Sequence, residues 1–119
     1  MNKMLCCRSF TFAAAHYLPD YPGKCKNLHG HTWTLEVCVE GRPDDTGMVI
    51  DFSILKTIAE VAVLQYFDHS ELNTFVANPT AENLIQWIWN ALTKYAPNTK
   101  FKRLKLYEST TSYVEFVGG

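Results

Sequence analysis

The sequence predicts an α+β fold of order ββααββ, a four-stranded antiparallel sheet with two helices on one face. Three observations predict it: two strand-period segments open the chain, two helix-period segments follow, and a second pair of strand-period segments closes it. Hairpins at both ends make the sheet antiparallel, and two amphipathic helices can cover only one of its faces. The other face, which carries aromatics, must find cover or solvent. Joining sheet edges between copies of the protein is the natural resolution.

In the first strand, Cys6 to His16, the residues Cys6, Phe10, Phe12, Ala14 and His16 share one face, with Arg8 as the exception. In the second, His29, His31, Trp33, Leu35, Val37 and Val39 share a parity, while Thr32, Thr34, Glu36 and Glu40 take the other. This is the pattern of half-buried strands. The turn-rich stretch Gly41-Arg42-Pro43-Asp44-Asp45-Thr46-Gly47 follows, and Asp51 is a good helix N-cap. Phe52, Leu55, Ala59, Ala62 and Tyr66 then recur at helical spacing, which predicts a helix to about Tyr66.

A second helix starts at Asn78-Pro79-Thr80-Ala81-Glu82, where capping side chains, a proline and a carboxylate suit the positive end of a helix. Leu84, Ile88, Ala91, Leu92 and Tyr95 form its apolar stripe, and Pro97 ends it. Two strands complete the order: Lys102 to Glu108, with Leu104 and Leu106 inward, and Tyr113 to Val117 after a Ser109-Thr110-Thr111-Ser112 turn. Nothing divides residues 1–119, which read as a single domain.

Composition excludes several function classes. Apolar residues are 47% and aromatics 13% of 119 residues, as in a globular protein. A net charge of −1 gives no general attraction to nucleic acid or an anionic membrane, and no basic run exceeds Lys102-Arg103. A small-molecule partner is expected, although Lys24 and Lys26 can meet phosphates. Met1 to Arg8 superficially resembles a signal sequence, but Arg8 interrupts it, and no segment reaches the roughly 18 apolar residues of a membrane span. A cytoplasmic protein is expected. Of the four cysteines, Cys6 and Cys7 are adjacent and Cys38 falls inside a strand, a poor disulfide framework that reads as four reduced thiols.

The segment Cys25-Lys26-Asn27-Leu28-His29-Gly30-His31 carries the chemistry, together with His16. If the first two strands pair through the connection from Tyr17 to Leu28, His16 lies near His31 and all three histidines converge at the rim of the apolar face. Same-face residues two apart on a strand are separated by about 7 Å, so two imidazoles can lean onto a metal at about 2.1 Å each. Three nitrogen donors leave a zinc ion's fourth position open for water or substrate, and the Cys25 thiol is then a reactant. Gly30 is read as keeping bulk away from the ligands.

Three further residues stand beside this chemistry. Glu108 shares the parity of Leu104 and Leu106, so it ends an apolar strand face with a carboxylate that a ligand offering two adjacent N–H donors would satisfy. Asp68 precedes His69 and can fix its tautomer and raise its basicity. Cys25, between Lys24 and Lys26 and near a metal, would be drawn toward thiolate.

Together these residues resemble the family of 6-pyruvoyltetrahydropterin and 6-carboxytetrahydropterin synthases over nearly the whole sequence. His16, His29 and His31 match the family's zinc ligands and Cys25 its catalytic cysteine. Phe67-Asp68-His69, with Leu72-Asn73, matches its histidine motif, and Asn78-Pro79-Thr80-Ala81-Glu82-Asn83 the helix start lining its pterin pocket, which implies Thr80 and Glu82 as substrate-binding residues. Tyr107-Glu108-Ser109 looks like the segment whose glutamate anchors the pterin, and Asp51-Phe52-Ser53-Ile54-Leu55-Lys56 like the first helix start. The resemblance implies the tunnelling fold, in which sheets join into a barrel on oligomerisation, commonly as hexamers built from a dimer of trimers. Active sites then lie between subunits.

Three residues, Lys26, Asn27 and Leu28, separate Cys25 from His29, a spacing similar to the carboxytetrahydropterin branch. That resemblance implies conversion of 7,8-dihydroneopterin triphosphate to 6-carboxy-5,6,7,8-tetrahydropterin with release of acetaldehyde and triphosphate, a step toward 7-deazapurines such as queuosine. Cys25 would move the proton, Asp68 and His69 would supply the second acid/base group, and Glu108 would fix the pterin. Three alternatives stay open: the pyruvoyl synthase activity, a cupin built on Gly23, His29, His31 and Glu36, and a structural zinc module in which Cys25 is a fourth ligand.

Overall fold

The structure, a computed structural model, describes residues 2–119. Two long strands, β1 (Met4–His16) and β2 (His29–Gly41), form an antiparallel ladder unbroken from the Met4–Gly41 pair to the His16–His29 pair. The remaining strands are β3 (Ser70–Glu71), β4 (Phe101–Tyr107) and β5 (Tyr113–Val117), and the sheet order is β3-β1-β2-β4-β5. The sheet therefore has five strands where four were expected. The addition is a two-residue strand running parallel to β1, pairing Ala14 with Ser70 and Ala15 with Glu71, too short to carry a period-2 signal.

Helix α1 (Phe52–Ala59) continues through π-helical turns at Glu60–Leu64 into α2 (Gln65–Phe67), so the expected helix to Tyr66 is present with a wider middle. Asp51 caps it, accepting from the Ser53 N–H at 2.8 Å, and the Ser53 hydroxyl and N–H hold its carboxyl below the usual range. Helix α3 (Ala81–Tyr95) starts where Thr80 Oγ1 accepts from the Asn83 N–H at 3.1 Å. Gly47 turns the backbone between β2 and α1 at φ +83°, a conformation that costs glycine nothing.

Phe12, Trp33, Leu35 and Leu104 from the sheet meet Leu55, Val63, Phe67, Leu84 and Ile88 from the helices, all buried in one core. The opposite face is mostly polar. Arg103 Nη2 lies 3.3 Å from Glu36 Oε1, Arg103 Nε 3.6 Å from Glu115 Oε2, and Lys105 Nζ 3.9 Å from that same oxygen. The expected aromatics there are Tyr107 and Tyr113, with ring centroids 4.7 Å apart. Glu36 is thus on the face away from the histidines, and the segment between β2 and β4 is largely helical, which removes the cupin reading.

Four reduced thiols are not what the structure holds: Cys7 and Cys38 form a disulfide, leaving Cys6 and Cys25 free. Adjacent Cys6 and Cys7 point to opposite faces of β1, and Cys7 stands directly across the ladder from Cys38. A cysteine inside a strand is well placed for a bridge when its rung partner is another cysteine. Met1 lies outside the described residues, and from Met4 the signal-like stretch is strand. Among the described residues no helix is long and apolar enough to cross a membrane.

Candidate functional site

Because β1 ends where β2 begins, the last rung of the ladder joins two histidines. His16 faces His29 with ring centroids 4.6 Å apart, and His31, two residues along β2 on the same face, stands 4.9 Å from His29 and 5.3 Å from His16. His29, rather than His31, is the partner across the rung. The nitrogen atoms that the three rings offer lie within 4.8 Å of one another, so the expected convergence is present.

The ring orientations follow from backbone carbonyls. His16, 1% exposed, places Nδ1 2.8 Å from the Pro79 carbonyl oxygen, and His29 places Nδ1 2.7 Å from that of Asn27. A carbonyl only accepts, so each Nδ1 carries the proton and each Nε2 keeps a free lone pair. His16 Nε2 and His31 Nε2 are buried with no hydrogen-bond partner among the described residues, and an unsatisfied buried polar atom costs about 1–3 kcal/mol. Burial pushes the His16 pKa down; the Pro79 carbonyl and Glu108 oppose this, and His29 and His31 add to it. Three converging imidazoles, two of them with buried nitrogens that no hydrogen bond satisfies, fit a borderline-soft divalent cation such as zinc.

Trp33 is the wall behind this cluster. It is fully buried, meets His16 and His31 edge-on at 5.0 and 5.5 Å, and donates from Nε1 to the Ala14 carbonyl at 3.2 Å. In front lies a cavity of about 250 Å³ lined by Lys24, Cys25, His29, His31 and Glu108. Cys25 sits in the 3₁₀ turn Lys24–Lys26 and belongs to this cavity but not to the ligand cluster. Glu108, just beyond β4, brings Oε1 within 3.4 Å of His31 Nε2 and Oε2 within 3.9 Å of His16 Nε2. The parity that set Glu108 at the rim of the core face is therefore correct. A larger cavity, about 640 Å³, lies on the helical face between Val61, Tyr66, Trp87, Lys94 and Tyr95, and no histidine, cysteine or carboxylate is among its described lining residues.

Not every expected residue reaches this cavity within one protomer. Asp68 and His69 stay together, Oδ1 to Nδ1 3.1 Å, but at the β1 edge: Asp68 Oδ1 accepts from the Ala13 N–H at 3.0 Å, and the His69 N–H donates to the Ala13 carbonyl at 2.6 Å. That pairing holds His69 at φ +59°, unusual for a side-chain-bearing residue, and leaves its ring 82% exposed. Thr80 caps α3 and lines another cavity with Leu18, Asp20, Tyr21 and Asn78, while Glu82 is exposed. A Cβ at Gly30 would meet nothing within 4 Å, so packing within the protomer does not require glycine there.

Sequence reasoning did not identify the Pro79 and Asn27 carbonyls, which carry no side-chain signature. Trp33 had the right parity but was read as core alone.

Comparison with known proteins agrees with this fold. The family model described as 6-pyruvoyl tetrahydropterin synthase matches residues 5–118. The 6-carboxy-5,6,7,8-tetrahydropterin synthase of Haemophilus influenzae is 33% identical over 135 residues, covering 92% of this chain and 95% of its own. The dihydroneopterin monophosphate aldolase of Pyrococcus furiosus is 43% identical over 106 residues, covering 88% and 90%. The solved 6-pyruvoyl tetrahydropterin synthase of Caenorhabditis elegans superposes with a TM-score of 0.90 at 26% identity, covering 100% of this chain and 98% of that one. With one family model spanning both strand pairs and all three histidines, the chain belongs to the 6-pyruvoyl tetrahydropterin synthase family.

Proposed function

We propose that residues 1–119 form a single pterin synthase domain that converts 7,8-dihydroneopterin triphosphate to 6-carboxy-5,6,7,8-tetrahydropterin, releasing acetaldehyde and triphosphate. The observation that carries this reading is a free thiol, Cys25, in the same cavity as His29, His31 and Glu108 yet outside the ligand cluster. A thiol there is free to act on a substrate held beside a metal. The Haemophilus influenzae relative, named for this activity, supports the choice of product.

His16, His29 and His31 would hold Zn²⁺, which when bound supplies a Lewis acid that acidifies the C–H bonds next to the oxygens of the substrate's side arm. Cys25 takes up and returns the proton, in a cavity that Lys24 also lines. Glu108 orients the pterin by accepting from adjacent N–H groups of the ring and its amino substituent, while Thr80 and Glu82, outside this cavity within one protomer, would meet the pterin only in a site completed by a neighbouring copy. Trp33 excludes water from the back of the histidine cluster.

Asp68 and His69 form the second acid/base pair. Their absence from the lining of Cys25's cavity within one protomer and the exposure of His69 support a site completed by a neighbouring copy. The β1 edge before Ala14 and the outer edge of β5 pair with no strand among the described residues, which supports sheets joined edge to edge into a barrel, as a hexamer built from a dimer of trimers. We place the enzyme in the cytoplasm, on the route to 7-deazapurines such as queuosine.

The 43% identity to an aldolase named for a dihydroneopterin monophosphate favours a second reading, carbon–carbon bond cleavage in the side arm of a monophosphate at the same cavity. Incubating zinc-loaded protein separately with the triphosphate and the monophosphate and identifying products decides among them. Acetaldehyde with carboxytetrahydropterin from the triphosphate supports the main reading. Pyruvoyltetrahydropterin establishes the pyruvoyl activity, and cleavage of the monophosphate alone establishes the aldolase.

A further inference from the structure

Beyond His16, β1 has no rung left: His16–His29 is the last pair, and the backbone turns into the 17–28 connection. Tyr17 is nonetheless held on both sides. Its N–H donates to Asn73 Oδ1 at 3.0 Å and its carbonyl accepts from Asn73 Nδ2 at 2.9 Å. Only one orientation of the amide satisfies both bonds, so the Asn73 side chain mimics one more strand residue beyond β3.

Two parts of the site hang from this clamp. His16 directly precedes Tyr17, and Leu18, directly after it, donates its N–H to the Cys25 carbonyl at 2.7 Å. Asn73 sits in the 3₁₀ turn Leu72–Thr74, anchored by fully buried Leu72, and the same loop runs on to Pro79, whose carbonyl orients His16. One amide therefore ties a ligand and the thiol turn to a rigid piece of the core, as the supporting shell of a preorganised site must.

We infer that Asn73 is the positioning residue that holds His16 and the Cys25 turn in register. For His16 this rests on the metal reading proposed above; for Cys25 it does not. The full-length wild type, Asn73→Ala and Asn73→Asp are compared by zinc competition against a chromophoric chelator, by peptide-resolved alkylation of Cys25 with Cys6 as internal reference, and by melting of the metal-free proteins.

Asn73→Ala is expected to weaken zinc binding about 10–100-fold and raise the Cys25-to-Cys6 alkylation ratio several-fold. Asn73→Asp, which keeps the acceptor for Tyr17 N–H, is expected to fall between. Unchanged affinity and an unchanged ratio in folded variants, with only a lower melting temperature, would overturn the inference. If Asn73→Ala does not fold, Asn73→Asp alone carries the test. If the wild type binds no zinc, the metal reading fails, and the alkylation ratio still decides the hold on Cys25.

Discussion

His16 and His29 occupy opposite ends of a twelve-residue connection and the same rung of the β1–β2 ladder, with their rings 4.6 Å apart. The antiparallel register creates the site: one more rung or one fewer would carry one of the two histidines to the other face. Four consequences can be measured.

Cys25 lies in the cavity and outside the ligand cluster, so Cys25→Ala should retain zinc at one equivalent per protomer while losing turnover. Metal content by elemental analysis and a product assay on the same sample check this together. Loss of the zinc would place Cys25 among the ligands and restore the structural-module reading.

Trp33 is fully buried and touches two of the histidines. Trp33→Ala should cost about 3–5 kcal/mol by leaving a cavity, measured by denaturant unfolding of the metal-free protein. Trp33→Phe should retain more of that stability and lose the Ala14 hydrogen bond.

The His16 pKa is lowered from 6.5 by burial. Above that value the ring is neutral whether the protein is folded or not, so it contributes no pH dependence. As pH falls below about 6.5 the unfolded imidazole protonates before the buried one, so the unfolded state binds more protons and stability falls. One such group gives a slope of at most about 1.4 kcal/mol per pH unit. Asp44 and Asp51, both held below 3.8, stabilise at neutral pH and lose that contribution only in more acid solution, which separates the windows. Unfolding of the metal-free protein between pH 7.5 and 5 should show the slope, and His16→Gln should flatten it.

The Cys7–Cys38 bridge closes a loop of sequence separation 31. Alkylation before reduction should label two cysteines per protomer, Cys6 and Cys25. The Cys7→Ala/Cys38→Ala protein should be less stable by about 2–4 kcal/mol. Four labelled cysteines in the unreduced protein would remove the bridge.

Strand period, helix period and capping placed β1, β2, the continuous helix from α1 through α2, α3, β4 and β5 within about two residues, because each residue's polarity reports its own face. The two-residue β3 is held by contacts remote in sequence and left no local mark. The disulfide is the instructive omission. Once His16 is set opposite His29, paired residue numbers in the ladder sum to 45, which sets Cys7 opposite Cys38. The information was in the sequence, but it emerges only after the register is known. In the site, the three histidines and Glu108 were legible because residue chemistry and strand parity agreed, and Cys25 because it stands close to His29 in the sequence. The Pro79 carbonyl that orients His16 and the Asn73 clamp on Tyr17 were not, because they join elements more than fifty residues apart.

X-ray absorption at the zinc edge of the loaded protein tests the central claim most directly. Three nitrogen ligands and one further light atom at about 2.0–2.1 Å are expected, the open position that a substrate would take. A sulfur scatterer at about 2.3 Å would make Cys25 a ligand, close the site, and contradict the account.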